Sequence, residues 1–289
     1  MVHSPLATPS ETLAVLKRFH LTTKKSLGQH FLIDDNVVGR ILELAAVDAE
    51  GVVVEVGPGI GTLTAALCQH AEAVVAVERD TDLLPALRQT TADCSRLAVV
   101  RADAVTVSPE QLAEPFGAPS ALVANLPYAV AATVVLRFFE ELPMLQSATV
   151  MVQSEVADRM AASPGGKEYG SYSVKLRLLA RPTGRFAVPR SCFLPPPRVA
   201  SAVLRLERFP LSDDPACLSA AARIANAAFA QRRKTVRNSL RSTLGVETAV
   251  LDEALLSAGI DGSLRAEVLE PQCFLGLAAA LEGQLNPSS

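Results

Sequence analysis

Several polar residues sit where the sequence otherwise runs apolar, and their types point to one kind of chemistry. "VEVGPGIGTLT" places Gly57, Gly59 and Gly61 between a β-branched run and a helical one, with Glu55 just ahead of them. Glycines there let the backbone turn tightly and approach a ligand, and the helix start offers unpaired N–H groups. "VVAVERD" ends the next apolar run with Glu78, at the spacing from which a carboxylate accepts both ribose hydroxyls of an adenosine-containing ligand. "RAD" ends a third run with Asp103, suited to accept from an adenine amino group. Three such groups at the carboxyl ends of successive strands mark the edge where open α/β sheets bind ligands.

Two ligands suit this set, a nicotinamide dinucleotide and S-adenosylmethionine. The pyrophosphate fingerprint is GxGxxG, whereas this turn reads E-x-GxGxG. Its glutamate and Pro58 suit a zwitterionic methionine moiety better than a pyrophosphate, which favours S-adenosylmethionine.

"VANLPYAV" interrupts a fourth apolar run with Asn125, Leu126, Pro127 and Tyr128. A nucleobase amine is a poor nucleophile because its lone pair is delocalised into the ring. A side-chain amide oxygen and a nearby backbone carbonyl can each accept one of its N–H bonds. That draws the nitrogen toward a tetrahedral geometry and aims its lone pair. Pro127 fixes the turn and leaves the preceding carbonyl free to accept. The Tyr128 ring can stack on a base taken out of its helix or loop. No strong general base is needed, since the methylated amine loses its proton readily. A plain strand-to-helix turn capped by Asn125 is the simpler account of the tetrapeptide alone. The three acceptors upstream tip the balance toward chemistry.

The elements that must position these residues alternate along the chain. "DDNVVGRILELAAV" is a helix with Asp34 or Asp35 as N-cap. "GVVVEV", "AEAVVAVE", "RLAVVRAD", "SALVA" and "SATVMVQ" read as strands, with helical segments between them. Strands apolar on both faces indicate a parallel sheet covered by helices, an α/β fold. "SPGGKEYGS" is a turn-rich loop, and after Pro210 helix follows helix with no strand signal. The expected division is a flexible tail over residues 1–23, a ligand-binding domain over 24–209 and a helical domain over 210–289.

Among the 289 residues 49% are hydrophobic, which supplies a sizeable core without tryptophan. The longest apolar stretch is broken by Asn125 and Pro127, and the opening residues lack the pattern of a secretory signal. Five scattered cysteines, none at CxxC spacing, read as reduced thiols of a cytoplasmic protein and suggest no metal site. A formal charge of −3 discourages nucleic acid only on average, because binding depends on where basic residues cluster.

From about Lys24 to the last helix the chain resembles the bacterial small-subunit ribosomal RNA adenine dimethyltransferases. The shared blocks are "KSLGQHFLID", "VEVGPGIGTLT", "VERDTDL", "RADAV", "NLPY", "MVQSEVADRM", "CFLPPPRVASAV" and "FAQRRKTVRNSL". The resemblance implies a class I methyltransferase, a Rossmann-like sheet covered by helices with a small all-helical C-terminal domain. It implies dimethylation of two adjacent adenines near the 3′ end of 16S rRNA in an assembling 30S subunit, by a monomer. Gly57 would line the methionine part of the cofactor, Glu78 the ribose, Asp103 the adenine, and Asn125 the reacting amine. His30, where the family usually has asparagine, would lie with the Leu32 backbone over the cofactor's carboxylate end. Ala129 stands where asparagine is frequent. Phe193 would form the second wall of the base pocket, opposite Tyr128.

"FAQRRKTVRNSLR" carries Arg232, Arg233, Lys234, Arg237 and Arg241 with no acid among them. Arg233, Arg237 and Arg241 recur at i, i+4, i+8, a spacing expected to align them on one helix face. With Lys24, Lys25 and Lys167 they are expected to form a phosphate-binding surface for folded RNA. Two other readings are a 23S rRNA adenine methyltransferase of the macrolide-resistance type, and an assembly factor that keeps the fold for binding only.

Overall fold

In the computed structural model of the protein, residues 2–24 and 29–281 are described. They form two compact units, each discontinuous in sequence. The first comprises the described residues up to Ala157 together with Pro182–Glu207, and the second comprises Asp158–Arg181 together with the described residues from Arg208 on.

The first unit opens with helix α1 (Pro9–Arg18), strand β1 (Phe31–Leu32) and helix α2 (Asp35–Ala45). Strands β2 (Val52–Val56), β3 (Ala73–Glu78), β4 (Leu97–Arg101), β5 (Ala121–Asn125) and β6 (Ser147–Gln153) follow. They alternate with helices α3 (Thr62–Leu67), α4 (Leu84–Thr90), α5 (Pro109–Ala113) and α6 (Ala131–Glu141), and α7 (Ser154–Ala161) comes after β6. After α8 (Ser171–Arg177), which belongs to the second unit, come strands β7 (Ala180–Val188), β8 (Phe193–Leu194) and β9 (Ser201–Arg208). The main sheet has seven strands in the order β4-β3-β2-β5-β6-β9-β7. From β4 through β6 every pairing is parallel, and β9 runs antiparallel to β6. All six residues of β3 are buried, as a strand covered on both faces requires. Asp34 caps α2 by accepting from the amides of Asn36 and Val37, and the helix buries Val37, Val38, Ile41 and Leu42.

Two expectations are corrected, and one strand goes unread in the sequence. Residues 2–23 are not a loose tail: the amides of His3 and Ser4 donate to the Asp35 carboxylate, Leu6 and Ala7 are buried, and Thr8 caps α1. Strand β7 was not legible, because "ARPTGRFAV" carries a proline, a glycine and two arginines. At the sheet edge those residues are tolerated, since one side of the strand needs no partner. Finally, the helical unit does not begin at Pro210. Its core joins Tyr169, Val174 and Leu178 to α9 (Pro215–Phe229), α10 (Val236–Leu244), α11 (Thr248–Ser257) and α12 (Pro271–Ala280). Tyr169, fully buried there, donates its hydroxyl to the Leu269 carbonyl. The apolar residues of 169–178 match either domain by pattern, and only their packing decides.

Candidate active site

After β4 the chain crosses back to place β5 beside β2, so the strand order reverses between them. Such a switch point leaves a crevice at the carboxyl ends of the strands, and the main cleft of the first unit lies there. Glu55, Gly57, Gly59, Glu78, Asp103 and Asn125 all line it, so β2, β3, β4 and β5 each deliver at least one polar group.

At the glycine turn, Gly59 adopts φ 63°, and a Cβ there would stand 3.4 Å from the Phe31 ring that roofs this part of the cleft. The Gly57 amide already donates to the Val77 carbonyl at 3.0 Å, so Gly57 offers a ligand its surface and not its N–H. Gly61 has a different job from the one expected. Its φ is 90° and a Cβ would meet Thr91 Cγ2 at 2.9 Å, so it lets α3 start against the end of α4, away from the cleft.

The acids are held in distinct ways. Glu55, 2% exposed, accepts from the Thr64 hydroxyl at 2.6 Å, and burial pushes its carboxyl up to about 8. Glu78 accepts from the Asp80 amide at 2.6 Å and the Gly59 amide at 3.4 Å, and its burial raises its pKa above the ordinary value. Asp103 accepts from the Val105 amide and pairs with the exposed Arg79 at 3.0 Å, so an adenine amine would share it with a guanidinium.

At the end of β5, Asn125 Nδ2 donates to the His30 carbonyl at 3.3 Å, which leaves Oδ1 as the acceptor. The Leu126 amide donates to Met151, and the Val130 amide to Pro127, closing the turn. The Leu126 carbonyl accepts no hydrogen bond among the described residues. Tyr128 is fixed twice: its hydroxyl bonds the buried Ser201 hydroxyl at 2.7 Å, and its ring stacks on His30 with centroids 5.8 Å apart. His30 Nδ1 lies 2.8 Å from the Pro195 carbonyl, which only accepts, so that nitrogen carries hydrogen. His30 therefore lines the cleft as a support for Tyr128. Leu32 borders the same cleft, and Ala129 is an exposed rim residue.

Phe193 is not a pocket wall. In the β1–β8 pair Leu32 lies opposite Phe193 and Phe31 opposite Leu194. Alternation turns Phe31 toward the glycine loop and Phe193 inward, where it is 2% exposed among Val188, Cys192 and Val203.

The expected RNA-contacting residues divide. Lys24 Nζ binds Asp80 at 2.6 Å and Asp82 at 2.7 Å beside the cleft, so it is engaged with acids and not presented as a free cation. Lys25 lies outside the described residues. In the helical unit the basic block is not one helix: α9 ends at Phe229, and Arg232, Arg233 and Lys234 occupy an exposed turn before Thr235 caps α10. Arg233 thus does not align with Arg237 and Arg241. Arg237 is turned into a bidentate pair with Asp252, while Arg241 and Lys167 are exposed. Arg232 reaches the carbonyls of Lys167 and Tyr169 at 3.5 Å.

Sequence reasoning missed Asp80, Gln29, Phe31 and Ser201. Asp80 stands two residues after Glu78, and Gln29 beside His30, but nothing local tells that each is turned toward the other. The arrangement suits an adenosine with a zwitterionic tail. It has buried carboxylates at two strand ends, a close-approach glycine, and a buried Thr62 hydroxyl on the cleft wall with no partner among the described residues.

The family description "Ribosomal RNA adenine dimethylase" matches residues 20–281. "Ribosomal RNA small subunit methyltransferase A" of Rhodococcus opacus is 45% identical over 284 residues, 95% of this chain and 94% of the relative. The protein of the same name from Shouchella clausii is 39% identical over 294 residues, 99% of this chain and 98% of the relative. Among solved structures, the 23S rRNA methyltransferase ErmE is 28% identical with a TM-score of 0.65, covering 87% of this chain and 99% of its own. A dimethyladenosine transferase from Plasmodium falciparum, 21% identical over 88% of this chain and 98% of its own, shares the fold with a TM-score of 0.76. With the sheet, its helical companion and the match along nearly the whole length in agreement, the chain belongs to the ribosomal RNA adenine dimethylase family, whose members are S-adenosylmethionine-dependent methyltransferases.

Proposed function

We propose that this protein dimethylates two adjacent adenines near the 3′ end of 16S rRNA, on an assembling 30S subunit, acting as a monomer in the cytoplasm. The observation that carries the reading is the geometry at Asn125. Its Nδ2 is spent on His30, so Oδ1 and the Leu126 carbonyl stand as a pair of acceptors at the mouth of the cleft. They suit an exocyclic amine with two N–H bonds, and Tyr128, held by Ser201 and His30, offers a ring for the base to stack on.

Glu78 and Asp103 would hold the nucleoside part of S-adenosylmethionine, with Gly57, Gly59 and Thr62 against its amino-acid part. Bound there, the cofactor supplies a methyl group activated by a positively charged sulfur. Asn125 and Leu126 do the rest by drawing the amine's N–H bonds aside, so that its lone pair leaves the ring's conjugation and points into the cleft. The proton departs from the methylated nitrogen to solvent, and no side chain need act as a strong base. Among the described residues no helix is long and apolar enough to cross a membrane.

The test is to incubate the protein and labelled S-adenosylmethionine with under-methylated 30S particles, 50S particles and naked RNA, and to map the product by mass spectrometry. Dimethyladenosine at two neighbouring 16S positions is expected. Transfer to 23S rRNA alone would overturn the choice of substrate, and tight binding without transfer would point to an assembly factor.

A further inference from the structure

Asp80 is a heavily engaged side chain beside the cleft, and nothing in the methyl-transfer chemistry uses it. It is 7% exposed. Its Oδ1 takes the Lys24 ammonium at 2.6 Å and the Asp82 amide at 3.2 Å, and its Oδ2 takes the Gln29 amide at 2.7 Å. Its own backbone amide donates to Glu78 Oε1 at 2.6 Å. Gln29 in turn accepts from the Lys24 amide at 2.9 Å through Oε1. One carboxylate thus ties both Lys24 and Gln29 to the end of β3. Gln29 continues directly into His30 and Phe31, which line the cleft on one side, while β3 supplies Glu78 to it.

We propose that Asp80 is a positioning residue that latches Lys24 and Gln29 to the end of β3, holding His30, Phe31 and Glu78 at the separation the cofactor requires. The inference rests on the reading of the cleft as an S-adenosylmethionine site. Its physical basis is preorganisation: a roof already fixed costs no ordering when the cofactor enters, so loss of the latch weakens binding and leaves the chemical step alone. Lys24 then serves the cofactor site and not RNA.

The experiment compares the full chain with Asp80→Asn, which keeps the side chain's shape, and with Lys24→Met. In the ligand-free proteins, hydrogen exchange at the Lys24 amide reads the latch directly, and it is expected to quicken in Asp80→Asn. S-Adenosylmethionine binding by calorimetry should weaken about tenfold in both variants, as loss of a charge-assisted hydrogen bond predicts. At saturating cofactor, kcat on under-methylated 30S particles should stay within about twofold, and RNA affinity of Lys24→Met should not change. Unchanged exchange with unchanged cofactor affinity overturns the latch, as does a fall in kcat at constant affinity. A loss of RNA affinity in Lys24→Met returns that lysine to the RNA surface. If the unaltered protein binds no S-adenosylmethionine while exchange still quickens in Asp80→Asn, the reading of the cleft fails and the role for the cofactor fails with it.

Discussion

At the scale of single residues, the cleft separates groups that hold from groups that act. In the proposed reaction Asn125 is the clearest actor, because its amide is oriented by a backbone carbonyl and its oxygen would be left for the substrate. Asn125→Ala is expected to lower transfer roughly 100-fold or more, by analogy with removing one oriented polar group from a reaction centre. Cofactor binding measured by calorimetry should persist, and unchanged turnover would refute the positioning role. Glu55 behaves differently. Burial raises its carboxyl to about 8 from an ordinary 4.5, so the folded protein holds a proton there that the unfolded chain releases. Its contribution to stability is therefore complete below about 4.5 and is lost as pH rises through about 8. Glu55→Gln keeps an acceptor for Thr64 and removes the titration. Melting temperatures of the two proteins should diverge as pH climbs through that window, with the variant the more stable at the top. Parallel curves would show that Glu55 is not buried as a neutral acid.

At the scale of elements, the basic block between α9 and α10 shows how a helical pattern can mislead. Read as one helix, it aligns three arginines, yet the chain breaks there and Thr235 caps the next helix by accepting from the Asn238 amide. The break leaves the cations in two different settings. Arg233 and Lys234 stand exposed on the turn, whereas Arg237 is paired with Asp252 of α11. Replacing Arg233 and Lys234 by alanine should weaken rRNA binding and reduce its salt dependence by about two ions. Arg237→Ala should lower the melting temperature and leave the salt slope where it was. A slope that falls equally in both variants would restore the single-face reading. The same contrast explains what the sequence made legible. The places of the strand-end acids and of Asn125 at the cleft are legible in the sequence because each stands at the end of an apolar run. The surroundings of Phe193 and Lys24 are not legible there, because they depend on partners far along the chain. Strand pairing turned Phe193 inward, and two aspartates claimed Lys24.

For the whole molecule, the discontinuous helical unit carries the strongest consequence. The composition changes at Pro210, so a cut there looks natural, but it would strip the unit of Tyr169, Val174 and Leu178, all essentially unexposed in its core. Tyr169 fills the space against Phe229, which itself stacks near Phe274, and its hydroxyl satisfies the Leu269 carbonyl. Losing a buried aromatic of this kind costs about 3–5 kcal/mol, a large share of the stability of a small helical unit. A fragment of residues 210–289 is thus expected to melt without cooperativity, followed by circular dichroism. A fragment in which residues 158–181 are joined to it through a flexible glycine-serine linker is expected to regain a cooperative transition. Within the full chain, Tyr169→Phe removes only the hydroxyl bond and should cost about 1 kcal/mol, while Tyr169→Ala opens the cavity and costs several times as much. A fragment of 210–289 that folds cooperatively alone would mean that the segment around Tyr169 merely covers a core complete without it.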